Sequence, residues 1–254
     1  MKKFLRDAAG AVLGLMLAVL PMSDLSAAEL QVLIGGSMAG LMSELAPQFE
    51  RASGHKLVIH FDSTPNLIKQ ATSGAPFDVG FVPIDVMKDP SARARFATGP
   101  TTDIARVGYG VAVRAGAPKP DVGTPAALKK TLLDAQSIAF IPASAAGAYV
   151  LSVFERLGIT EAMKAKTKPQ TSPAQIPQAV ANGEAELGIF VISVLLAPGV
   201  ELAGSFPSEL QQELVFTAAV AADTKQAEAA KAFIDYLTTP AVSAAIKAKG
   251  MTPG

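Results

Sequence analysis

"VLIGGSMAGLMSELAPQFERASGHKLVIHFDSTPNL", residues 32–67, decides the fold. An apolar, β-branched run from Leu30 to Ile34 stops at Gly35-Gly36-Ser37. A segment of helical period follows, with Leu41, Met42, Leu45 and Phe49 on one stripe and Gly54 as its stop. A second apolar run, Lys56 to Phe61, leads into Asp62-Ser63-Thr64-Pro65, where the proline suits a first helical position. Strand, turn and helix, repeated, is the unit of a largely parallel sheet flanked by helices.

The same alternation runs through the rest of the chain. Further strands are expected over Val79–Val82, Val107–Val113, Ser137–Ile141, Leu187–Val191 and Leu214–Val220. Helical segments between them include "AAGAYVLSVFERLG" and "AQIPQAVANG", stopped by Gly158 and Gly183, and a closing pair split at Pro240. "RAGAPKPDVGTP" and "LLAPGVELAGSFP" read as surface loops, the second as a candidate lid. Gly108 and Gly110 in "RVGYGVAV" mark either hinge positions or close packing.

Lys2, Lys3 and Arg6 precede an apolar run from Ala8 to Met22, and small residues close the stretch at Ser26-Ala27-Ala28. That is the form of a secretory signal peptide, residues 1–28, cut after Ala28. Its apolar run of about 15 residues is short of the ~20 needed to span a membrane. About 226 residues remain from Glu29 onward, enough for one large domain or two lobes.

An exported chain without cysteine has neither disulfides nor thiolate sites, so burial alone must stabilise it; half its residues are apolar. Lys plus Arg and Asp plus Glu both number 22, which excludes the basic field of a nucleic-acid binder and of a polybasic membrane patch. The partner is therefore expected to be small. His55 and His60 are the only histidines, too few for a zinc constellation, and no metal or cofactor is expected. No Ser-His-Asp set, phosphate-binding Gly-Lys motif or dinucleotide fingerprint occurs.

Open α/β sheets bind ligands at the carboxyl ends of their strands, where helix N-termini present unpaired N–H groups. Three junctions share that chemistry: "VLIGGSMAG" with Ser37, "IHFDSTPNL" with Asp62, Ser63 and Thr64, and "AFIPASAAGAY" with Ser144 before small residues. Each also reads as an ordinary N-cap.

Residues 35–89, "GGSMAGLMSELAPQFERASGHKLVIHFDSTPNLIKQATSGAPFDVGFVPIDVMKD", resemble the amino-terminal half of the molybdate-binding-protein group of periplasmic solute-binding proteins. "ASAAGAYVLSVFERLGI", "AVANGEAELGIF" and "AAKAFIDYLTTPAVSAAIKAKGM" match that group's later landmarks in order, so the resemblance covers essentially the whole chain after the leader. It implies an α/β, type II two-lobe periplasmic-binding-protein fold, with mixed, mostly parallel sheets and two crossing hinge strands. Lobe 1 would comprise 29–105 plus 215–254, and lobe 2 would comprise 106–214. It further implies a monomer in the periplasm that delivers a small anion to the membrane subunits of an ABC importer. Carried over residue by residue, the ligand positions fall on Ser37, Ser63, Thr64, the Ala145-Ala146-Gly147 turn and Tyr149.

Two departures put molybdate in doubt. The group carries a ligand-reaching tyrosine in "G-[IVF]-V-Y-x-[ST]-D-A", whereas here "GIFVISVLLA" places Val191 at that position. Asp62 also stands where the group has a neutral small residue, and a carboxylate repels an anion unless paired or turned away. An organic carboxylate is favoured, with Arg106 as a bidentate clamp or else a surface partner of Asp103. "GVELAGSFPSELQQ" and "KAKGMTPG" resemble a branch that contains an aconitate isomerase, so the alternative is an allylic 1,3-proton transfer. Its candidate bases are His60, Asp62 and Tyr149.

Overall fold

The computed structural model describes residues 27–254. All of the expected leader except Ala27 and Ala28 lies outside the described residues. Ala28 is buried; its N–H donates to His55 Nδ1 at 3.1 Å and its carbonyl accepts from Lys56 N at 2.8 Å. A cut after Ala28 would remove both bonds.

Eleven strands form two sheets: β1 Glu29–Gly35, β2 Lys56–Asp62, β3 Val79–Pro83, β4 Thr102–Val107, β5 Tyr109–Arg114, β6 Ile138–Phe140, β7 Thr167–Pro169, β8 Leu187–Val191, β9 Val200–Ser205, β10 Leu214–Val220 and β11 Thr252–Pro253. The first lobe carries a six-stranded sheet in the order β11-β4-β10-β3-β1-β2, and the second a five-stranded sheet in the order β7-β6-β8-β5-β9. β1, β2 and β3 are parallel, as are β6, β7 and β8; β10 and β5 return antiparallel. Both sheets are therefore mixed. Helices cover their faces, which is why β3 and β8 read as continuous apolar runs, buried at every position.

The opening β-α-β unit shows how the chain sets its elements. The Ala39–Ser53 helix buries Leu41, Met42, Leu45 and Phe49 and ends on Gly54, whose φ of 76° suits a residue without Cβ. Glu50 then ties helix to strand: Oε1 accepts from Leu57 N at 2.9 Å and Oε2 pairs with Lys56 Nζ at 3.0 Å. The Leu57 amide first, and Lys56 second, hold this carboxyl below its ordinary pKa.

Two sequence expectations need correction. The strand expected over Val107–Val113 is broken at Gly108, so that β4 lies in one sheet and β5 in the other. "LLAPGVELAGSFP" is no lid: Val200–Ser205 is β9, the edge strand paired antiparallel with β5. The sequence missed it because its residues are only half-buried and Gly204 interrupts the β-branched pattern.

The chain crosses between lobes at Gly108 and again between Ser205 and Leu214. Gln211, in the second crossing, grips the first: its Oε1 accepts from Tyr109 N at 2.8 Å and its Nε2 donates to Tyr109 O at 2.9 Å. Gly108 makes room for that amide, since a Cβ there would lie 3.1 Å from Gln211 Cδ. Around the clamp, Tyr109 packs on Tyr149 and Phe206, and Tyr149 donates its hydroxyl to Leu210 O at 2.8 Å. Burial, with the Asp85 carboxylate as a second cause, pushes the Tyr109 phenol far above its usual range, so it stays protonated.

Gln211→Ala is expected to lower the unfolding free energy by about 1–3 kcal/mol in a urea titration, because it strands the buried Tyr109 N–H, whereas the Tyr109 carbonyl keeps its bond from Phe206 N. A loss below about 0.5 kcal/mol would show that the clamp adds nothing. For Glu50 the sign follows from its lowered pKa: its contribution is full above the ordinary carboxyl range and drains as pH falls through the depressed value. Glu50→Gln should accordingly flatten that part of the acid-unfolding curve; an unaltered curve would show the contact to be neutral.

Candidate functional site

The carboxyl ends of β1, β2 and β3 face those of β6 and β8 across the gap between the lobes. β1 ends in Gly35, which must be glycine, because a Cβ would lie 2.6 Å from the Phe216 ring and 3.0 Å from Pro83. Gly36 is the contact across the gap, where a Cβ would sit 3.2 Å from Pro173 of the other lobe. One small cavity results, lined in lobe 1 by Ser37, Asp62, Ser63 and Thr64, and in lobe 2 by Ile141, Ser144, Ala146 and Phe190. Leu214 and Phe216 close it from β10. Its volume is 20 Å³, room for about one water, so a larger ligand is admitted by the lobes parting.

The three hydroxyl junctions differ in what they do. Ser144 is a working cap: its Oγ accepts from Gly147 N at 2.9 Å and donates to Ile141 O at 2.9 Å. Ser63 holds the N-cap position of the Thr64–Thr72 helix, yet its side chain forms no cap bond. Ser37 lies within the 3-10 turn Gly36–Met38, and neither that turn nor the helix after it has a side-chain cap. Both of these residues line the cavity, and neither hydroxyl oxygen accepts a cap bond.

Asp62, beside Ser63, is held in a network of its own. Its Oδ1 accepts from Ser63 N and from Asn66 Nδ2, both at 2.7 Å, and its Oδ2 accepts from Gln70 Nε2 at 2.9 Å. The carboxylate is thus satisfied by neutral donors and without a cation, while the helix itself has no side-chain cap. It still lines the cavity and is the one ionisable side chain that does.

Of the expected ligand positions, the structure brings Ser37, Ser63, Thr64 and Ala146 together at the cavity. Ala145, Gly147, Tyr149 and Arg106 are not among its lining residues. Gly147 spends its N–H on Ser144, and a Cβ there would meet Ile141 O at 1.7 Å, so packing requires this glycine. The Tyr149 hydroxyl is engaged with Leu210, and Arg106 pairs with Asp103 at 3.0 Å on the half-exposed face of β4. Val191 is fully buried opposite Tyr109 in the sheet, and the neighbouring Phe190 lines the cavity in its place. Phe190, Phe216 and Pro173 escaped the sequence reading because they look like core and loop; only the alternation of faces along β8 pointed to Phe190.

A family model described as "Bacterial extracellular solute-binding protein" matches residues 30–252. The chain belongs to that family. It is 33% identical over 232 residues to an aconitate isomerase of Pseudomonas sp, covering 88% of this chain and 87% of that protein. A molybdate-binding protein ModA of Azotobacter vinelandii is 34% identical over 232 residues, covering 88% and 90%. Among solved structures, the periplasmic molybdate-binding protein of Azotobacter vinelandii superposes with a TM-score of 0.74 at 23% identity, covering 88% of this chain and 98% of that one. The tungstate-binding protein TupA of Desulfovibrio alaskensis gives a TM-score of 0.64 at 16% identity, covering 90% and 99%. The two-lobe solute-binding fold is theirs as well. Among the described residues no helix is long and apolar enough to cross a membrane, and no three His, Cys, Asp or Glu side chains cluster to hold a metal.

Gly147→Ala should destabilise the protein by about 3 kcal/mol or more, since the new methyl meets backbone that cannot yield cheaply. Guanidinium unfolding measures it, and a near-neutral result would refute the close packing of this helix on Ile141.

Proposed function

We propose that the protein is an exported, periplasmic solute-binding protein that captures a small organic carboxylate between its lobes for the membrane subunits of an ABC importer. The observation that carries this reading is the division of labour among the serines: Ser144 is spent as a cap, while Ser37 and Ser63 keep their hydroxyls at the interlobe cavity. Neutral hydroxyls and helix-start amides hold an anion without burying a counter-charge. The relatives named for molybdate and tungstate support an anion of some kind.

The shape of the chemistry favours a carboxylate. Such a ligand has oxygens at one end and carbon behind them, and the cavity offers the hydroxyls of Ser37, Ser63 and Thr64 in lobe 1, with Ile141 and Phe190 of lobe 2 and the Phe216 ring of β10 as apolar walls. A tetrahedral oxyanion has oxygens on every side; those turned to the rings would lose water without gaining a donor. The uncompensated charge of Asp62 also opposes a dianion more than a monoanion.

The isomerase relative supports a second reading on the same cavity. A 1,3-shift needs one group to take an allylic proton and return it at the far end of the displaced double bond. His60 is exposed and bonded to Gln31 at 3.1 Å, and Tyr149 is engaged, which leaves Asp62 as the base.

Calorimetric titration with mono-, di- and tricarboxylates, sulfate and molybdate, while aconitate is followed by ultraviolet absorbance, separates these readings. Saturable carboxylate binding is expected, weakened roughly tenfold or more by Ser37→Ala and by Ser63→Ala, as for hydrogen bonds to a charged group. Tight molybdate binding with no carboxylate binding would overturn the proposal. Interconversion of cis- and trans-aconitate that disappears in Asp62→Asn would make the isomerase the function.

A further inference from the structure

A second groove, of 430 Å³, adjoins the cavity and shares Gly36, Ser37 and Pro173 with it. Lobe 1 contributes the exposed start of the Ala39–Ser53 helix, and lobe 2 contributes Pro177, Ser193, Val194 and Leu196. Its volume falls in the range of about 300–1,000 Å³ typical of small-molecule sites, whereas the cavity at the serines encloses 20 Å³. No Asp, Glu, Lys, Arg or His lines it.

Two details mark the groove as more than a gap between helices. Leu196 is 51% exposed, yet a Cβ on Gly250 of the other lobe would lie 2.7 Å from its Cδ1, so it reaches across the lobes at the groove's rim. The Ser193 hydroxyl is buried without a hydrogen-bond partner among the described residues.

Resting on the carboxylate reading, we infer that the ligand is an elongated monocarboxylate, its head at Ser37 and Ser63 and its uncharged tail laid along this groove. Ser37 belongs to both spaces, so a molecule bound there by its carboxylate has its carbon chain at the groove's mouth. The proline, valine and leucine walls favour carbon. A second carboxylate would be desolvated there with no cation to meet it.

Gly40 offers the test. It sits in the first turn of its helix on the groove wall, and a Cβ there would meet nothing within 4 Å, so Gly40→Leu fills the groove without disturbing the fold. Affinities are measured by calorimetry for straight-chain monocarboxylates from acetate to octanoate and for α,ω-dicarboxylates of equal length. Expected is a rise of roughly threefold to fourfold per methylene up to a plateau, with dicarboxylates weaker than their monoacid counterparts. Gly40→Leu should cost the long monoacids at least about tenfold and leave acetate within about twofold. Acid binding that is flat with length, or lost equally for short and long acids in Gly40→Leu, would overturn the tail assignment and leave the cleft reading standing. Binding of no acid at all would overturn both.

Discussion

Everything at the cleft depends on where one sheet stands against the other, and that is set by Gln211. Its side-chain amide pairs with both backbone groups of Tyr109, a residue 102 positions away in sequence, and so joins the two crossing segments, with Phe206 N adding a second bond to the Tyr109 carbonyl at 2.9 Å. Gly108 permits it by having no side chain, and the rings of Tyr109, Tyr149 and Phe206 exclude water around it. Gly36 and Pro173 meet across the gap, where a Cβ on Gly36 would lie 3.2 Å from the proline ring.

At the cavity, capping and binding turn out to be divided among neighbouring residues. The Thr64–Thr72 helix has no side-chain cap: the carboxylate of Asp62 takes the Ser63 N–H and the side-chain amides of Asn66 and Gln70, and the Ser63 hydroxyl makes no cap bond. The Ala145–Arg156 helix is capped by its own serine, and nothing is left over. A hydroxyl costs little to keep uncommitted at a surface that opens to water, but it costs more when the lobes close over it. Closure therefore favours whatever supplies an acceptor to Ser37 and Ser63.

Legibility in the sequence followed range. The α/β class, the parallel strands and the helix stops at Gly54, Gly158 and Gly183 were readable because they rest on local period and on positive φ, 76°, 66° and 77° at those glycines. Ser37, Ser63 and Thr64 were readable because a strand end followed by a helix start is a local pattern. Tyr149 was not, because the carbonyl that takes its hydroxyl lies 61 residues away. Arg106 had both fates open, and its local partner Asp103, three residues back, is the one the structure shows. The apolar wall was hidden for a different reason: Phe190 and Phe216 are buried, and burial looks the same in sequence whether the far side is core or ligand.

That wall also bears on how tightly any ligand is held. Phe190, Leu214 and Phe216 are buried where the lobes meet, so apolar contact contributes to closing the cleft in its own right. A ligand shifts the balance between open and closed forms only by the difference in its affinity for the two. A carbon tail in the groove between the lobes touches both of them only when they are closed, and so does a carboxylate at Ser37 that faces Phe190. Contacts made within lobe 1 alone raise affinity without driving closure. On the proposed reading, the residues that decide the response to the ligand are thus the ones reaching across from lobe 2: Pro173, Phe190 and Leu196.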